Sequence, residues 1–148
     1  MQLPKDWREF VESLNSHGVE YVIVGAFALA FHGFPRYTGD IDILVRRSRE
    51  NAGRLEAALA AFGFASAGIP AEEFLEADRV IQLGVAPNRI DLLTTITGVD
   101  FEEVWQNRVI SELDGLAVAF IDRASLIRNK KATGRTQDLA DVEALGAQ

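Results

Sequence analysis

Hydrophobic residues recur along the chain at two different spacings, and each change of spacing predicts a boundary between a helix and a strand. Near the start, Trp7, Phe10, Val11 and Leu14 follow helical spacing and predict a helix over residues 4–16. Runs rich in β-branched and aromatic residues predict strands at residues 19–24, 40–46, 79–85, 89–95, 108–113 and 116–121. Helical segments are predicted directly after Gly25 and at residues 49–62, 70–77, 100–106, 123–133 and 136–145.

Turn-forming residues separate these segments and indicate how they connect. Asp114-Gly115 between two predicted strands is a strong hairpin signal, while Asp122 and Gly134 are typical of the start and end of a helix. The order is helix, strand, helix, strand, helix, several strands and then helices. This order predicts an α/β or α+β fold with a mixed central sheet. The 148 residues and the lack of a linker predict one domain over residues 1–148.

Composition narrows the class of protein. Apolar residues make up 48% of the chain and charged residues 25%, which is typical of soluble proteins. The chain has no cysteine, which excludes disulfides and thiolate metal sites and fits a cytoplasmic protein. No apolar run reaches the length of a membrane span and no signal peptide is recognisable, so we expect no membrane partner.

The net charge of −7 argues against a protein that coats nucleic acid non-specifically. The segment from Arg123 to Arg135 is nevertheless basic, with five Lys and Arg residues and no acid. Such a patch on an acidic body indicates a specific anionic ligand, although a solvated helix face would give the same pattern.

The strand segment GDIDILV, residues 39–45, carries two carboxylates among apolar residues. Residues two apart share a face of a strand, so Asp40 and Asp42 point the same way while Ile41 and Ile43 face the core. Two like charges this close repel each other and raise each other's proton affinity. A divalent cation offsets that repulsion, and carboxylate oxygens suit Mg²⁺. The alternative is an exposed strand end that binds nothing.

A third carboxylate repeats the pattern in NRIDLLT, residues 88–94, where Asp91 is flanked by Ile90, Leu92 and Leu93. If this strand neighbours the first one, Asp91 faces the same site. Three carboxylates can hold two divalent ions, which clamp the attacking and leaving oxygens of a phosphoryl displacement. A simple charge at a strand end is the alternative for Asp91.

The segment VIVGAFALAFHG, residues 22–33, precedes the carboxylate pair and reads as strand, glycine turn and helix. Gly25 permits a sharp turn and a close approach of a ligand to the backbone. The start of the following helix offers free N–H groups and the positive end of a helix dipole, which favour an anion. An ordinary strand-to-helix turn is the alternative.

Together these segments resemble the nucleotidyltransferase superfamily of the DNA polymerase beta type. Its signature is an apolar residue and Gly followed by Gly or Ser, then Asp-x-Asp or Asp-x-Glu after a spacer, and later a single acid. Gly25-Ala26, RYTGDID at residues 36–42, and Asp91 follow this order. The Arg-x-Thr-x-Asp-x-Asp form is most similar to small bacterial nucleotidyltransferases related to abortive-infection and type IV toxins. The resemblance covers about residues 19–145.

The resemblance implies a minimal nucleotidyltransferase fold, a short mixed β-sheet with helices packed on it. It also implies transfer of a nucleoside monophosphate from a nucleoside triphosphate to an acceptor hydroxyl, with release of pyrophosphate. Asp40 and Asp42 would ligate one or two Mg²⁺ ions. Asp91 would complete the metal site and assist deprotonation of the acceptor hydroxyl.

The same resemblance implies a set of phosphate-binding groups. The backbone of Gly25 and Ala26 would hold the triphosphate. Lys130 and Arg135 would neutralise phosphate charge, as a point charge and as a planar fork. Lys131 is the rival to Lys130, because the helix phase is not fixed to one residue by the sequence.

Four further residues have both a functional and a structural interpretation. Arg36 lies in the loop before the carboxylates and could steer phosphate, or it could be an ordinary surface charge. Thr38 could orient that loop or simply form a turn. Asp138 and Asp141 belong to an Arg…Asp-x-x-Asp element that the family shares. For both we favour a structural role over metal binding, in which Asp138 caps the last helix and Asp141 holds Lys130 or Arg135 in place.

Two departures from the family pattern leave competing functions open. Ala26 stands where Gly or Ser is usual, and the chain has almost nothing beyond the core that would bind an acceptor. One hypothesis is an active enzyme, as a toxin that modifies tRNA and pairs with an antitoxin, or as an adenylyltransferase of small molecules. The other is an inactive nucleotide- or protein-binding module on the same scaffold. A partner protein or a homodimer would supply what the short chain lacks.

Overall fold

The computed structural model describes residues 2–34, 38–63, 69–85 and 87–146. The helices in these ranges are α1 (Lys5–Ser16), α2 (Gly25–Phe31), α3 (Arg49–Phe62), α4 (Phe101–Asn107), α5 (Arg123–Thr133) and α6 (Thr136–Ala144). The strands are β1 (Tyr21–Val24), β2 (Asp40–Val45), β3 (Val80–Leu83), β4 (Arg89–Leu93), β5 (Val109–Leu113) and β6 (Leu116–Phe120). A 3-10 helix forms at Ala71–Leu75.

The described strands form a six-stranded sheet in the order β3-β4-β2-β1-β6-β5. Strand β2 lies between β1, to which it is antiparallel, and β4, to which it is parallel. Strand β1 is also parallel to β6, and the two outer pairs β3–β4 and β5–β6 are antiparallel. The fold is therefore the α/β arrangement with a mixed sheet that the sequence predicts.

Helices pack on this sheet because its central strands are apolar on the side that faces them. All four residues of β1 are buried, and so are Ile41 and Ile43 of β2. Helix α1 contacts α3 and β6, and α2 packs on β1 and β2. The ring of Phe31 stacks on Phe120 with a centroid separation of 4.0 Å. In the part of the chain that is described, no helix has the length and apolar character needed to cross a bilayer.

A buried amide fixes the ends of the two strands that matter most for the site. Asn51 in α3 accepts a hydrogen bond from the backbone N–H of Glu20 at 2.7 Å. It also donates to the carbonyls of Glu20 at 3.1 Å and Arg46 at 3.0 Å. Glu20 precedes β1 and Arg46 follows β2, so one side chain ties the start of β1 to the end of β2.

Local signals place most element ends close to the predicted positions. Helix α3 spans residues 49–62, with Ser48 accepting a hydrogen bond from the N–H of Asn51 at its start and Gly63 in the left-handed conformation at its end. Asp122 likewise accepts from the N–H of Ser125 at the start of α5, and Gly134 ends that helix at φ +68°. The predicted strands at residues 19–24 and 79–85 are shorter in the structure, because only residues 21–24 and 80–83 pair with a neighbouring strand.

Candidate active site

Three carboxylates meet where β2 and β4 run side by side. The parallel register pairs Asp42 with Asp91 and Asp40 with Arg89. One oxygen from each of Asp40, Asp42 and Asp91 lies within 4.8 Å of the others. Asp91 is buried, whereas Asp40 and Asp42 are half-buried. The strand of Asp91 therefore neighbours the strand of Asp40 and Asp42, which is the arrangement that a shared site requires.

Among the three carboxyl groups, that of Asp42 has a strongly raised pKa. Burial raises the pKa of its carboxyl group to about 7, and the negative charges of Asp40 and Asp91 add to the effect. The nearby guanidinium of Arg89 acts in the opposite direction but does not cancel it. A group with this pKa gains from a cation that approaches its oxygens, which is the behaviour expected of a metal ligand.

Arg89 bridges two of the three carboxylates and was not identified from the sequence. Its Nη2 donates to Oδ2 of Asp40 at 2.6 Å and to Oδ2 of Asp91 at 3.0 Å, and its Nε donates to Oδ1 of Asp91 at 2.9 Å. Arg89 is two residues before Asp91 on β4, so strand alternation places both on one face. That spacing was the available signal, but sequence alone does not say toward which neighbour a long side chain extends.

Thr38 also contacts Asp40, one of the two carboxylates that Arg89 bridges. Its hydroxyl oxygen lies 3.1 Å from Oδ1 of Asp40 and 2.8 Å from the Asp40 carbonyl oxygen. The loop therefore positions the first acid of the pair, as one interpretation of Thr38 holds. Arg36, the other loop residue in the predicted site, lies outside the described residues.

Gly25 is required by the close approach of its backbone to Asp42. It starts α2 with φ +70°, and a Cβ at this position would lie 2.2 Å from Oδ2 of Asp42. No side chain fits there while the carboxylate keeps its position. Ala26 follows in the helix and is half-buried. The glycine thus makes room for an acid of the cluster, a reason that the sequence did not reveal.

A cleft of about 190 Å³ opens beside Asp42. It brings residues of the strand ends together with residues of α5 and α6. Its lining comprises Val24, Gly25, Asp42, Leu93, Ile96, Thr97, Asn129, Lys130, Thr133, Arg135 and Asp138. Lys130, a buried residue, faces this cleft, whereas Lys131 is exposed. Asn129, Thr133 and Thr97 were not identified from the sequence, because polar residues on a basic helix carry no distinctive pattern.

Asp138 and Asp141 of α6 hold the cations of the cleft. Nζ of Lys130 lies 2.8 Å from Oδ2 of Asp141 and 3.5 Å from Oδ1 of Asp138. Nε of Arg135 donates to Oδ2 of Asp138 at 2.6 Å, and Thr133 donates to the same oxygen at 2.8 Å. Burial alone would raise the pKa of Asp138, but the hydrogen bonds from Arg135 and Thr133 lower it to about 2. Asp141 thus holds Lys130, as the sequence predicts. Asp138 lies inside α6 and does not cap it, because its carboxylate binds Arg135 and Lys130 instead.

Arg135 combines an exposed side chain with a fixed direction. Its side chain is 78% exposed even though its guanidinium is bound to Asp138. The hydrogen bond to Asp138 raises the pKa of Arg135, and the charge of Asp42 contributes to the same shift. Arg135 is therefore a solvent-accessible cation on the same cleft as the carboxylate cluster.

Replacing Gly25 by alanine is expected to destabilise the protein by at least about 1 to 3 kcal/mol, because Ala disfavours φ +70° and its Cβ overlaps Asp42. Urea denaturation of the variant and of the wild type measures this loss. In the Gly25→Ala/Asp42→Ala double variant, the overlapping oxygen is gone, so the cost of the glycine substitution should be smaller.

Gly53 provides the matched control. It lies inside α3, and a Cβ there would meet nothing within 4 Å. Gly53→Ala should leave stability unchanged or raise it. An equal cost for Gly25→Ala with and without Asp42 would contradict the proposed overlap.

Asp42→Asn should stabilise the protein in EDTA, and the gain should depend on pH. The folded-state pKa of about 7 lies above the unfolded value of 3.8. Stability from the protonated Asp42 is therefore fully present below pH 3.8 and is lost as the pH rises through 7. The melting temperature of Asp42→Asn minus that of the wild type should thus grow between these pH values and then level off. A difference that stays constant from pH 4 to pH 8 would rule out this account of Asp42.

Comparison with known proteins gives matches in structure only. Neither a protein-family model nor a curated protein matches this sequence. An antigenic nucleotidyltransferase-like protein from Paracoccidioides brasiliensis is 18% identical, with a TM-score of 0.56 over 98% of this chain and 78% of that one. A candidate nucleotidyltransferase from Thermotoga maritima is 15% identical, with a TM-score of 0.58 over 95% and 88%.

A third similar structure is ANT(2″)-Ia in complex with adenylyl-2″-tobramycin, at 15% identity and a TM-score of 0.52 over 93% of this chain and 83% of that one. At these identities the similarity establishes the fold. The chain shares the fold of these three structures, as the sequence resemblance predicts.

Proposed function

We propose that this protein is a Mg²⁺-dependent nucleotidyltransferase that moves a nucleoside monophosphate from a nucleoside triphosphate to an acceptor hydroxyl. One observation carries the proposal. Three carboxylates from two adjacent strands lie within 4.8 Å of one another, and one of them borders a cleft that also contains Lys130 and Arg135. Acids that bind metal and cations that bind phosphate are the two groups that this reaction needs.

The donor set suits a hard divalent cation. All three groups are carboxylates, and oxygen ligands are those that Mg²⁺ prefers. The raised pKa of Asp42 supports the same assignment, because a bound cation would stabilise the ionised carboxylate against both its burial and the charges of Asp40 and Asp91. Asp40, Asp42 and Asp91 are therefore the proposed ligands. When bound, Mg²⁺ would supply positive charge to the phosphates and to the departing pyrophosphate.

The nucleotide would bind in the cleft beside Asp42. Lys130 is fixed there by Asp138 and Asp141, so it presents its charge without a large loss of side-chain entropy. Arg135 reaches the same space from the start of α6 and offers a planar donor set to phosphate oxygens. Gly25 lines the same cleft, and its backbone, with that of Ala26, is proposed to hold the triphosphate.

The reaction itself is a displacement at the α-phosphorus. The acceptor oxygen forms a bond to this phosphorus, and the bond from phosphorus to the bridging oxygen of pyrophosphate breaks. The electron pair leaves with pyrophosphate. The proton of the acceptor hydroxyl passes to a carboxylate oxygen of Asp91 and then to solvent. Thr38 contacts Oδ1 of Asp40 at 3.1 Å and is proposed to orient this ligand.

A small molecule is the acceptor that one observation favours. ANT(2″)-Ia, which shares this fold, forms a structure with adenylyl-2″-tobramycin. The basic segment on α5 gives less support to tRNA than its composition suggests, because the exposed Arg128 is paired with Glu103. A toxin that acts on tRNA, with an antitoxin as partner, remains a separate proposal that rests on the sequence resemblance. That separate proposal also includes a cytoplasmic location in a bacterium and assembly of the protein as a homodimer.

Label transfer tests the proposed reaction directly. Purified protein is incubated with each α-labelled nucleoside triphosphate, Mg²⁺ and an acceptor pool, either total RNA or an extract of small metabolites. We expect label on an acceptor only when Mg²⁺ and intact Asp42 are both present. Asp42→Asn should reduce transfer by at least about a hundredfold, because the metal loses a ligand.

Asp114→Asn is the matched control. Asp114 lies in the β5–β6 hairpin at the far edge of the sheet, in a left-handed conformation that Asn tolerates. This variant should transfer label like the wild type. Retained transfer in Asp42→Asn would refute the assigned mechanism. If no protein transfers label and neither Mg²⁺ nor nucleotide raises the melting temperature, the binding-module hypothesis takes its place.

A further inference from the structure

Arg89 makes several short hydrogen bonds to the carboxylate cluster, and the proposed reaction gives this arginine no role. Its guanidinium donates to both oxygens of Asp91 and to one oxygen of Asp40, at 2.6 to 3.0 Å. The other oxygen of Asp40 is held by Thr38 at 3.1 Å. Two of the three proposed metal ligands are therefore already engaged by groups of the protein itself.

The position of Arg89 follows from the sheet and not from a flexible loop. The residue starts β4, and its backbone N–H donates to the carbonyl of Gly39 at 3.2 Å. Its Cα is paired with that of Asp40 in the parallel register. The guanidinium is thus fixed at one end over the carboxylates, while its side chain stays 32% exposed. It has room to move outward without unfolding the strand.

We propose that Arg89 is a built-in counter-cation of the carboxylate cluster and that a divalent cation binds by displacing its guanidinium. The inference rests on the proposed function, because it needs Asp40 and Asp91 to be metal ligands. A cation that takes oxygens of Asp91 competes with two hydrogen bonds from Arg89. Arg89 therefore sets the affinity for metal and keeps the acids in place when metal is not bound.

This role makes Arg89 a positioning residue and not a catalytic one. Removing it should have two opposite effects. The cluster loses its compensating charge, so the protein without metal becomes less stable. The same loss frees the carboxylate oxygens, so a divalent cation binds more tightly. A purely structural arginine would give the first effect without the second.

Isothermal titration with Mn²⁺ and thermal melting in EDTA measure the two effects. We expect Arg89→Gln to bind Mn²⁺ at least about fivefold more tightly than the wild type and to melt at a lower temperature in EDTA. Arg89→Lys keeps the charge but lacks the fork that spans two carboxylates. Its affinity for Mn²⁺ should fall between those of the wild type and Arg89→Gln.

The control is Arg79→Gln. Arg79 precedes β3, and its side chain pairs with Glu73 at 3.7 Å on the exposed surface. This variant loses the same charge away from the cluster, so its Mn²⁺ affinity should match that of the wild type. A direct readout comes from the ¹⁵N-labelled Nε–H signal of Arg89, which should shift when Mg²⁺ saturates the wild-type protein.

The outcomes separate this inference from the proposed function. If the wild type transfers label but Arg89→Gln and Arg89→Lys bind Mn²⁺ no more tightly than it does, the exchange is wrong and the proposed function stands. If Arg89→Gln does not fold, Arg89→Lys decides, and an unchanged affinity in that variant overturns the exchange. If no protein binds Mn²⁺ and the wild type transfers no label, both proposals fall.

Discussion

The repulsion among three carboxylates on two neighbouring strands is the constraint around which this end of the sheet is built. Asp42 and Asp91 are direct partners in the parallel β2–β4 register, and Asp40 lies two residues before Asp42. Burial, together with the charges of Asp40 and Asp91, raises the pKa of Asp42 to about 7. Positive charge must offset the negative charge of such a cluster, so the cations near it indicate what the site does.

The residues around the cluster accommodate and offset its negative charge in three ways. Gly25 gives up a side chain so that the carboxylate of Asp42 fits against the start of α2. Arg89 neutralises Asp40 and Asp91 from within the chain. Across the cleft, Lys130 and Arg135 are cations held in place by the acids of α6. The cleft therefore combines Asp42, a proposed metal ligand, with Lys130 and Arg135, the proposed phosphate-binding cations.

The fold and the shared face of Asp40 and Asp42 could be predicted from the sequence, because both depend on local patterns. Alternation on β2 places Asp40 and Asp42 on one face, and Ser48, Asp122 and Gly134 mark helix ends wherever they occur. Whether Lys130 or Lys131 faces the cleft depends on the phase of α5, which packing against α6 fixes. The role of Arg89 could not be predicted, because its partner Asp40 is 49 positions away in the sequence. The close contact between Gly25 and Asp42 likewise arises only when β1 and β2 are paired.

The central claim is that Asp40, Asp42 and Asp91 form a divalent cation site. Anomalous diffraction from crystals grown with Mn²⁺ tests it most directly. The account predicts a peak with Asp42 and Asp91 oxygens within about 2.3 Å of the ion, at the distance usual for a hard cation and carboxylate oxygen, and with the Arg89 guanidinium moved outward. A saturated crystal with no peak at the cluster, and Arg89 still bound to Asp40 and Asp91, would contradict it.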